Sequence, residues 1–412
     1  MIQITQTIFY IILAIYVGEF LLTRCIGYLN TRNWSDEIPP ELEWIYDAKK
    51  YAKSQSYEKE KYKFGLISAI PSFFVVFLIL VFGGFGWLDG IVRTMVSWEM
   101  LTTLVFFGIL FVLQTLISLP FSYYSTFVIE EKYGFNKMTK KIFVLDTLKS
   151  ILLSLVIGWA LIYLIVWIYN FTGTNFWLYA WGLMTCISIF FMMFYSSLIV
   201  PIFNKQTPLE DGRLKKAIEK FAEKVWFKLD NIYVIDGSKR STKANAYFSG
   251  FGPKKRIVLY DTLINDLKTK ELVAVLAHEI GHYKRKHTLQ MLAFSIIQTG
   301  FMLWVLSLAL GMGEFSFALG AEKPSFHMWI IAFGIVFTPI SIILGLLGNI
   351  MSRKNEYEAD AYAREYNDSK ALASALKKLS INNLSNLKPH PVYEFFYYSH
   401  PTVLKRLGAL LK

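Results

Sequence analysis

Long, nearly uncharged apolar stretches recur along this chain at the length that a bilayer demands. A helix needs roughly 20 largely apolar residues to cross the hydrocarbon layer. Six segments meet that requirement, at about 65–87, 101–127, 152–171, 176–203, 289–312 and 328–350. A seventh, at about 2–24, is weaker because Gln3, Gln6 and Glu19 interrupt it. It lacks the basic start and small-residue cleavage site of a signal peptide, so it reads as an uncleaved first span. Between the fifth and sixth spans the pattern turns mixed. Residues 214–225 read as an amphipathic helix. Short strands at 231–235, 244–248 and 256–260 follow, separated by Gly- and Lys-containing turns. Further helices are expected at 269–286 and, after the last span, at 352–366. The pattern predicts a mainly α membrane protein with seven spans and a small β-sheet. It divides into a membrane region, 1–203, with five spans, and a region 204–412 that includes two more. Neither an internal repeat nor a low-complexity linker interrupts it.

Composition supports the membrane reading. Apolar residues make up 54% and charged residues 18%, with 34 Phe, 24 Tyr and 11 Trp, which is too much apolar surface for water alone to cover. A net charge of +12 would suit nucleic acid or anionic lipid in a soluble protein, but here its distribution decides. Seven spans place 25–64, 128–151, 204–288 and the tail after Ile350 on one side. Of the 43 Lys and Arg, only Arg93 and Lys323 fall in the loops of the other side. The positive-inside rule then puts the large polar segment in the cytosol, with lipid and not nucleic acid as the neighbour. Cys25 and Cys186 lie in or beside apolar segments and read as buried free thiols. Two cysteines exclude a disulfide framework or a Cys-ligated zinc site.

The candidate chemistry lies in His278-Glu279-Ile280-Gly281-His282. At about 100° per residue, a helix sets both imidazoles on one face, one turn apart. Two ring nitrogens can then reach one metal, with Glu279 beside it as the base that takes a proton from a metal-bound water. The preceding residues 271–277 are good helix formers with an acid near the start. A catalytic zinc keeps three protein ligands and one open position, so a third ligand is needed. His287 would project about 140° from His282 on a continuous helix. The metzincin pattern fails, because positions 285 and 288 are Arg285 and Thr288. The other source is a carboxylate on a second helix, where Glu356 and Asp360 share a face and Glu358 is rotated away. One acid could bind the metal while another orients a ligand His. Spacing by itself leaves Glu356 and Glu358 both open.

With these motifs in place, the chain resembles the type I CAAX prenyl protease family, membrane zinc endopeptidases of the gluzincin type. Further matching segments are Ser54-x-x-Tyr57-x-x-x-Lys61, Asp236-Gly-Ser-Lys-Arg-Ser241, Asn245-Ala-Tyr-Phe248, Arg256-Ile-Val-Leu259, Asp261-Thr-Leu263, and His400-Pro401 with Arg406. The resemblance implies seven helices around a water-filled chamber, with the zinc site at its cytosolic end. Polar residues such as Glu19 would then face the chamber. It further implies one Zn²⁺ on His278, His282 and Glu356, with Asp360 supporting a ligand. Asn245, His400 and Arg406 would serve substrate binding, and His400 would also assist catalysis beside Glu279. The implied reaction removes the C-terminal tripeptide from a polypeptide ending in a prenylated-Cys CAAX motif. The chain is shorter than eukaryotic members and ends Leu411-Lys412 without an ER-retrieval signal, which favours a bacterial inner membrane over the endoplasmic reticulum.

Two other readings carry distinct expectations. A quality-control protease for misfolded or translocon-stalled membrane proteins would need no prenyl group. A transporter would need clustered charges or Pro/Gly-broken helix pairs within the spans, and the sequence pattern offers neither.

Overall fold

The structure, a computed structural model, describes residues 2–228, 232–250 and 255–412. Asn231, where the first predicted strand begins, and the Gly- and Lys-containing turn at 251–254 lie outside the described residues. The membrane half holds α1 (Ile2–Thr31), α2 (Ala48–Val81), α3 (Gly84–Met95), α4 (Glu99–Tyr124), α5 (Lys140–Thr172) and α6 (Phe176–Leu198). After it come β1 (Gln206–Pro208), α7 (Arg213–Lys224), β2 (Ile232–Ile235), β3 (Ala246–Ser249), β4 (Arg256–Tyr260), α8 (Thr269–Lys284) and α9 (His287–Ala309). The chain closes with α10 (Phe326–Val336), α11 (Thr338–Tyr366), α12 (Ser369–Asn382), α13 (Pro391–Tyr397) and α14 (Val403–Leu410).

Among the described residues, six helices are long and apolar enough to cross a membrane, and α10 with α11 makes a seventh span if taken together. That last pair is bent by 58°. Pro339 explains the break, since it has no N–H for the carbonyl four residues back and its ring crowds that carbonyl. One Pro-broken pair therefore exists where the apolar pattern suggested a straight span. Helix α2 has 34 residues, about 50 Å at ~1.5 Å per residue, well beyond the ~30 Å of hydrocarbon. Its charged first half leaves the bilayer, and Tyr51 and Tyr57 there are buried against Leu407 and Tyr133 clusters. The helix ends where Gly83 adopts φ +66°, a left-handed turn that a side chain would resist.

The expected loop at 88–100 is mostly α3. Phe85, Leu88, Asp89 and Val92 form its buried face at helical spacing. Asp89 accepts hydrogen bonds from His327 Nε2 at 2.8 Å and from Arg93 Nε at 2.9 Å, and Arg93 reaches Glu99 at 2.6 Å. This network joins α3, α4 and α10 at the bundle end away from the sheet. Arg93, one of two cations on that side, thus sits in an ion network. Cys25 and Cys186 are free as expected, but exposed on the helix surfaces instead of buried.

The sheet has the order β1-β2-β4-β3, with β2 parallel to β4 and the other pairs antiparallel. β4 is buried on both faces at Ile257, Val258 and Leu259, so it shows no alternation. β1 escaped prediction because it is a three-residue edge strand ending in a proline. β3 is the other edge. The core beneath the sheet joins Ile218 and Phe221 of α7, Ile257 and Leu259 of β4, Leu272, Leu276 and Ile280 of α8, and Leu372 of α12.

Glu271 anchors the start of α8. It is buried and accepts the Lys268 backbone N–H at 2.8 Å, Ser374 Oγ at 2.7 Å and Lys378 Nζ at 2.7 Å. Burial alone would raise its pKa, but Lys378, Ser374 and the Lys268 N–H together hold it below the usual carboxylate value. A depressed folded pKa stabilises the protein above the unfolded value and loses that contribution as pH falls through the folded one. We expect Glu271→Gln to cost about 1–2 kcal/mol at pH 7, after allowing for the partly exposed Lys378. Its melting temperature in detergent should also fall less than that of the parent between about pH 5 and about pH 3, across and below the ordinary glutamate value. An unchanged pH response would contradict this account.

Candidate metal centre

Helix α8 presents His278, Glu279 and His282 toward α11. The approach is close because position 281 is glycine: a Cβ there would sit 3.1 Å from the Ala359 carbonyl oxygen and 3.2 Å from its Cα. Ala359 lies between Glu356 and Asp360, so the absence of one methyl group lets both acids reach the histidines. No periodicity in the sequence marks Gly281 for this role.

His278, His282 and Glu356 each offer a ligand atom, all within 4.8 Å of one another. His282 Nε2 lies 3.1 Å from His278 Nε2 and 3.2 Å from Glu356 Oε1, and His278 Nε2 lies 3.5 Å from Glu356 Oε2. Ligands at ~2.0–2.1 Å around a tetrahedral zinc would be about 3.3 Å apart. Glu356, in place of Glu358, is therefore the acid that joins the two histidines.

The outer partners set which nitrogen faces inward. His278 Nδ1 is 2.9 Å from Asp360 Oδ1, so its N–H points to the carboxylate and Nε2 is left with a lone pair. His282 Nδ1 is 3.0 Å from His287 Nδ1, and His287 Nε2 is 3.1 Å from Glu358 Oε2. Protons running from His282 to His287 to Glu358 leave His282 Nε2 likewise bare. Two lone pairs facing at 3.1 Å beside a carboxylate repel unless a cation lies among them. Glu356 Oε2 is also buried without a well-aimed hydrogen bond, its close cation being Arg406 Nη1 at 3.0 Å. The donor set of two imidazoles and one carboxylate fits a divalent metal such as zinc.

His287 reaches this position because α8 does not run on. Lys286 takes φ +60°, and the chain turns before α9 begins at His287. The 140° projection assumed a continuous helix, and the turn cancels it. The His287–Glu358 pair was missed for that reason, although both residues are visible in the sequence.

Arg406 lies behind the ligands. It is buried, with two bonds to Asp360, from Nε at 2.8 Å and Nη2 at 2.6 Å, and Nη1 3.0 Å from Glu356 Oε2. The expected substrate-binding role does not match this place, because the guanidinium is already committed to the two carboxylates. His400 is at the open side, 62% exposed, with Nε2 3.3 Å from Glu356 Oε1. Asn245 is exposed and precedes β3, lining a cleft of about 780 Å³ with Tyr247, Phe248, Arg240 and Thr288.

Electrostatics at the centre follow from burial and from these neighbours. Burial pushes the Glu279 carboxyl up, and the nearby His278 and His282 offset only part of that rise. Burial opposes charge on His282, but the adjacent Glu356 carboxylate outweighs it and raises the imidazole pKa, the same pull toward positive charge that a metal cation would answer. Burial also opposes charge on Arg406, and Asp360 and Glu356 more than restore it.

Two family models match this chain. One, described as CAAX prenyl protease N-terminal with five membrane helices, covers residues 27–205, and one for peptidase family M48 covers 208–412. CAAX prenyl protease 1 of Saccharomyces cerevisiae is 36% identical over 97% of this chain and 94% of its own length. The CAAX prenyl protease 1 homolog of Homo sapiens is 33% identical over 96% and 93%. The crystal structure of S. mikatae Ste24p superposes with a TM-score of 0.93 at 36% identity, covering 98% of this chain and 99% of that one.

His287→Ala should lower metal affinity roughly 10- to 100-fold, read by competition with a chromophoric chelator. His287→Gln, whose amide oxygen can accept the His282 Nδ1–H, should recover part of the loss. An unchanged affinity in the alanine variant would rule out an orienting role.

Proposed function

The chain belongs to the type I CAAX prenyl protease family, and from that premise we propose how its residues divide the work of cutting a peptide bond. It is an integral, multi-pass membrane metalloendopeptidase of the CAAX type, and its substrates are polypeptides. The observation that carries the residue assignment is the convergence of His278, His282 and Glu356, with Glu279 beside them on the same helix.

One zinc ion held by His278, His282 and Glu356 supplies, when bound, a Lewis acid and a water that is nucleophilic near neutral pH. Glu279 is the general base and then the general acid: it takes the proton of the attacking water and returns it to the leaving amine. Burial by itself raises its pKa, and a cation at the centre would pull it back toward the carboxylate form in which it acts as base. Asp360 and the His287–Glu358 pair keep the two ligand imidazoles in one tautomer. Arg406 balances the charge of Asp360 and Glu356 from behind. His400, exposed at the rim, donates to the oxygen of the scissile carbonyl as negative charge builds there. The free edge of β3, preceded by Asn245, offers main-chain groups to an extended substrate, with Asn245 at the end of that track.

The Lys and Arg distribution supports a cytosolic site. The names of the yeast and human relatives support a prenylated CAAX substrate, and loss of its last three residues is what the family resemblance implies.

Glu279→Gln should keep its metal and lose activity by about 10²- to 10⁴-fold. Metal content by mass spectrometry and peptide cleavage in detergent read the two effects separately, and undiminished cleavage would sink the base assignment. A farnesylated CAAX peptide should be cut faster than its unmodified counterpart. Equal rates would favour the quality-control reading over lipid-directed cleavage.

A further inference from the structure

Away from the metal centre, a cavity of about 390 Å³ lies between α1, the charged half of α2, and α13. Arg24, Trp34, Glu58, Lys61, Tyr393 and Tyr397 contribute to its wall. Its size falls at the lower end of small-ligand sites, roughly 300–1,000 Å³. The Nε of Arg24 and the Nε1 of Trp34 are both buried and have no hydrogen-bond partner. Arg24 forms no ion pair among the described residues, and its guanidinium stacks on the Phe20 ring at 5.6 Å. A buried donor left unmet is costly, so two lining one cavity call for an acceptor.

Charge selects the kind of acceptor. Glu58 is paired with Lys61 at 3.5 Å, which leaves Arg24 as the surplus charge of the wall. The site therefore favours an anion. The Arg24 guanidinium, the Trp34 indole N–H and the two tyrosine hydroxyls offer more donors than a halide could use. Phosphate oxygens match that number, and guanidinium–phosphate bonds are charge-assisted. Place narrows the source. Arg24 stands where the first span leaves the apolar layer, among the aromatic residues Trp34, Tyr62, Tyr393 and Tyr397 that suit a membrane interface. Basic pockets between helices on the cytosolic side suit lipid headgroups.

We propose that this cavity binds a phosphate group, delivered by a phospholipid headgroup or by free phosphate, with Arg24 and Trp34 as its principal donors. The bound anion bridges α1 and α13, and so steadies the helix that leads to His400. None of this requires the proteolytic assignment, and its test uses no cleavage assay.

The test is thermal melting of the delipidated full chain in neutral detergent. The additives are dioctanoyl phosphatidylglycerol, inorganic phosphate, or dioctanoylglycerol, which has no phosphate. Saturable stabilisation by the phospholipid alone assigns the source to lipid, and stabilisation by inorganic phosphate as well assigns it to phosphate generally. Arg24→Gln should raise the half-saturating concentration by about tenfold or more, and Trp34→Phe by a smaller factor. Trp34→Phe keeps the ring and guards against misfolding of the arginine variant. Stabilisation equal to that by dioctanoylglycerol, or unchanged in a folded Arg24→Gln or Trp34→Phe variant, overturns the proposal.

Discussion

Two carboxylates, Glu356 and Asp360, lie one helical turn apart and buried against α8. Left uncompensated, each would carry a desolvation penalty of several kcal/mol. Three groups answer them. Arg406 arrives from α14 and takes both oxygens of Asp360 and one side of Glu356, and His278 and His282 arrive from α8. Arg406 lies 3.0 Å from Oε2 of Glu356, and Oε1 faces His282 at 3.2 Å. The two acids thus carry more negative charge than Arg406 alone balances, and the inward-facing imidazole nitrogens make the place a candidate metal site.

Such an arrangement requires the elements to meet within tenths of an ångström. Gly281 sets the spacing of α8 and α11, since a methyl group would press on the Ala359 backbone. The left-handed Lys286 folds His287 back onto His282, so the same turn that starts a membrane helix also secures a ligand. Helix α11 runs without interruption from the Pro339 bend to the two acids. Glu356 is thus borne on a helix continuous with the membrane bundle, while His278 and His282 sit on α8, which the turn at Lys286 joins to the membrane helix α9. The bilayer acts as part of the site's scaffold, and the far-end network of Asp89, Arg93 and His327 fixes α10, the first half of that bent pair.

Local patterns in the chain were readable where one physical demand acts alone. Lipid tolerates no charge over about 20 residues, and the apolar runs followed. Two imidazoles on one helical face require a four-residue spacing, and His278 and His282 have it. The short strand at 206–208 and the true end of α2 were not readable, because a three-residue edge strand and a single left-handed glycine leave little trace in periodicity. The exposed cysteines misled for a related reason. In a bundle surrounded by lipid, an apolar neighbourhood does not mean a buried one.

By itself the sequence determined the number and places of the apolar spans, the charge asymmetry across them, and the pair of histidines with Glu279 between. Each depends on residues close together in the chain, where helix geometry and the bilayer act directly. Spacing left Glu356 and Glu358 open and the family resemblance named Glu356, and it is the tertiary structure that brings Glu356 beside the histidines. It also decided that Glu358 acts through His287, and that Arg406 supports the ligands from behind while His400 stands at the rim. Those outcomes depend on a missing methyl at Gly281, a turn at Lys286, and the docking of α14 on α11. Such contacts join residues up to 128 positions apart, as Arg406 and His278 are, and no local periodicity encodes them.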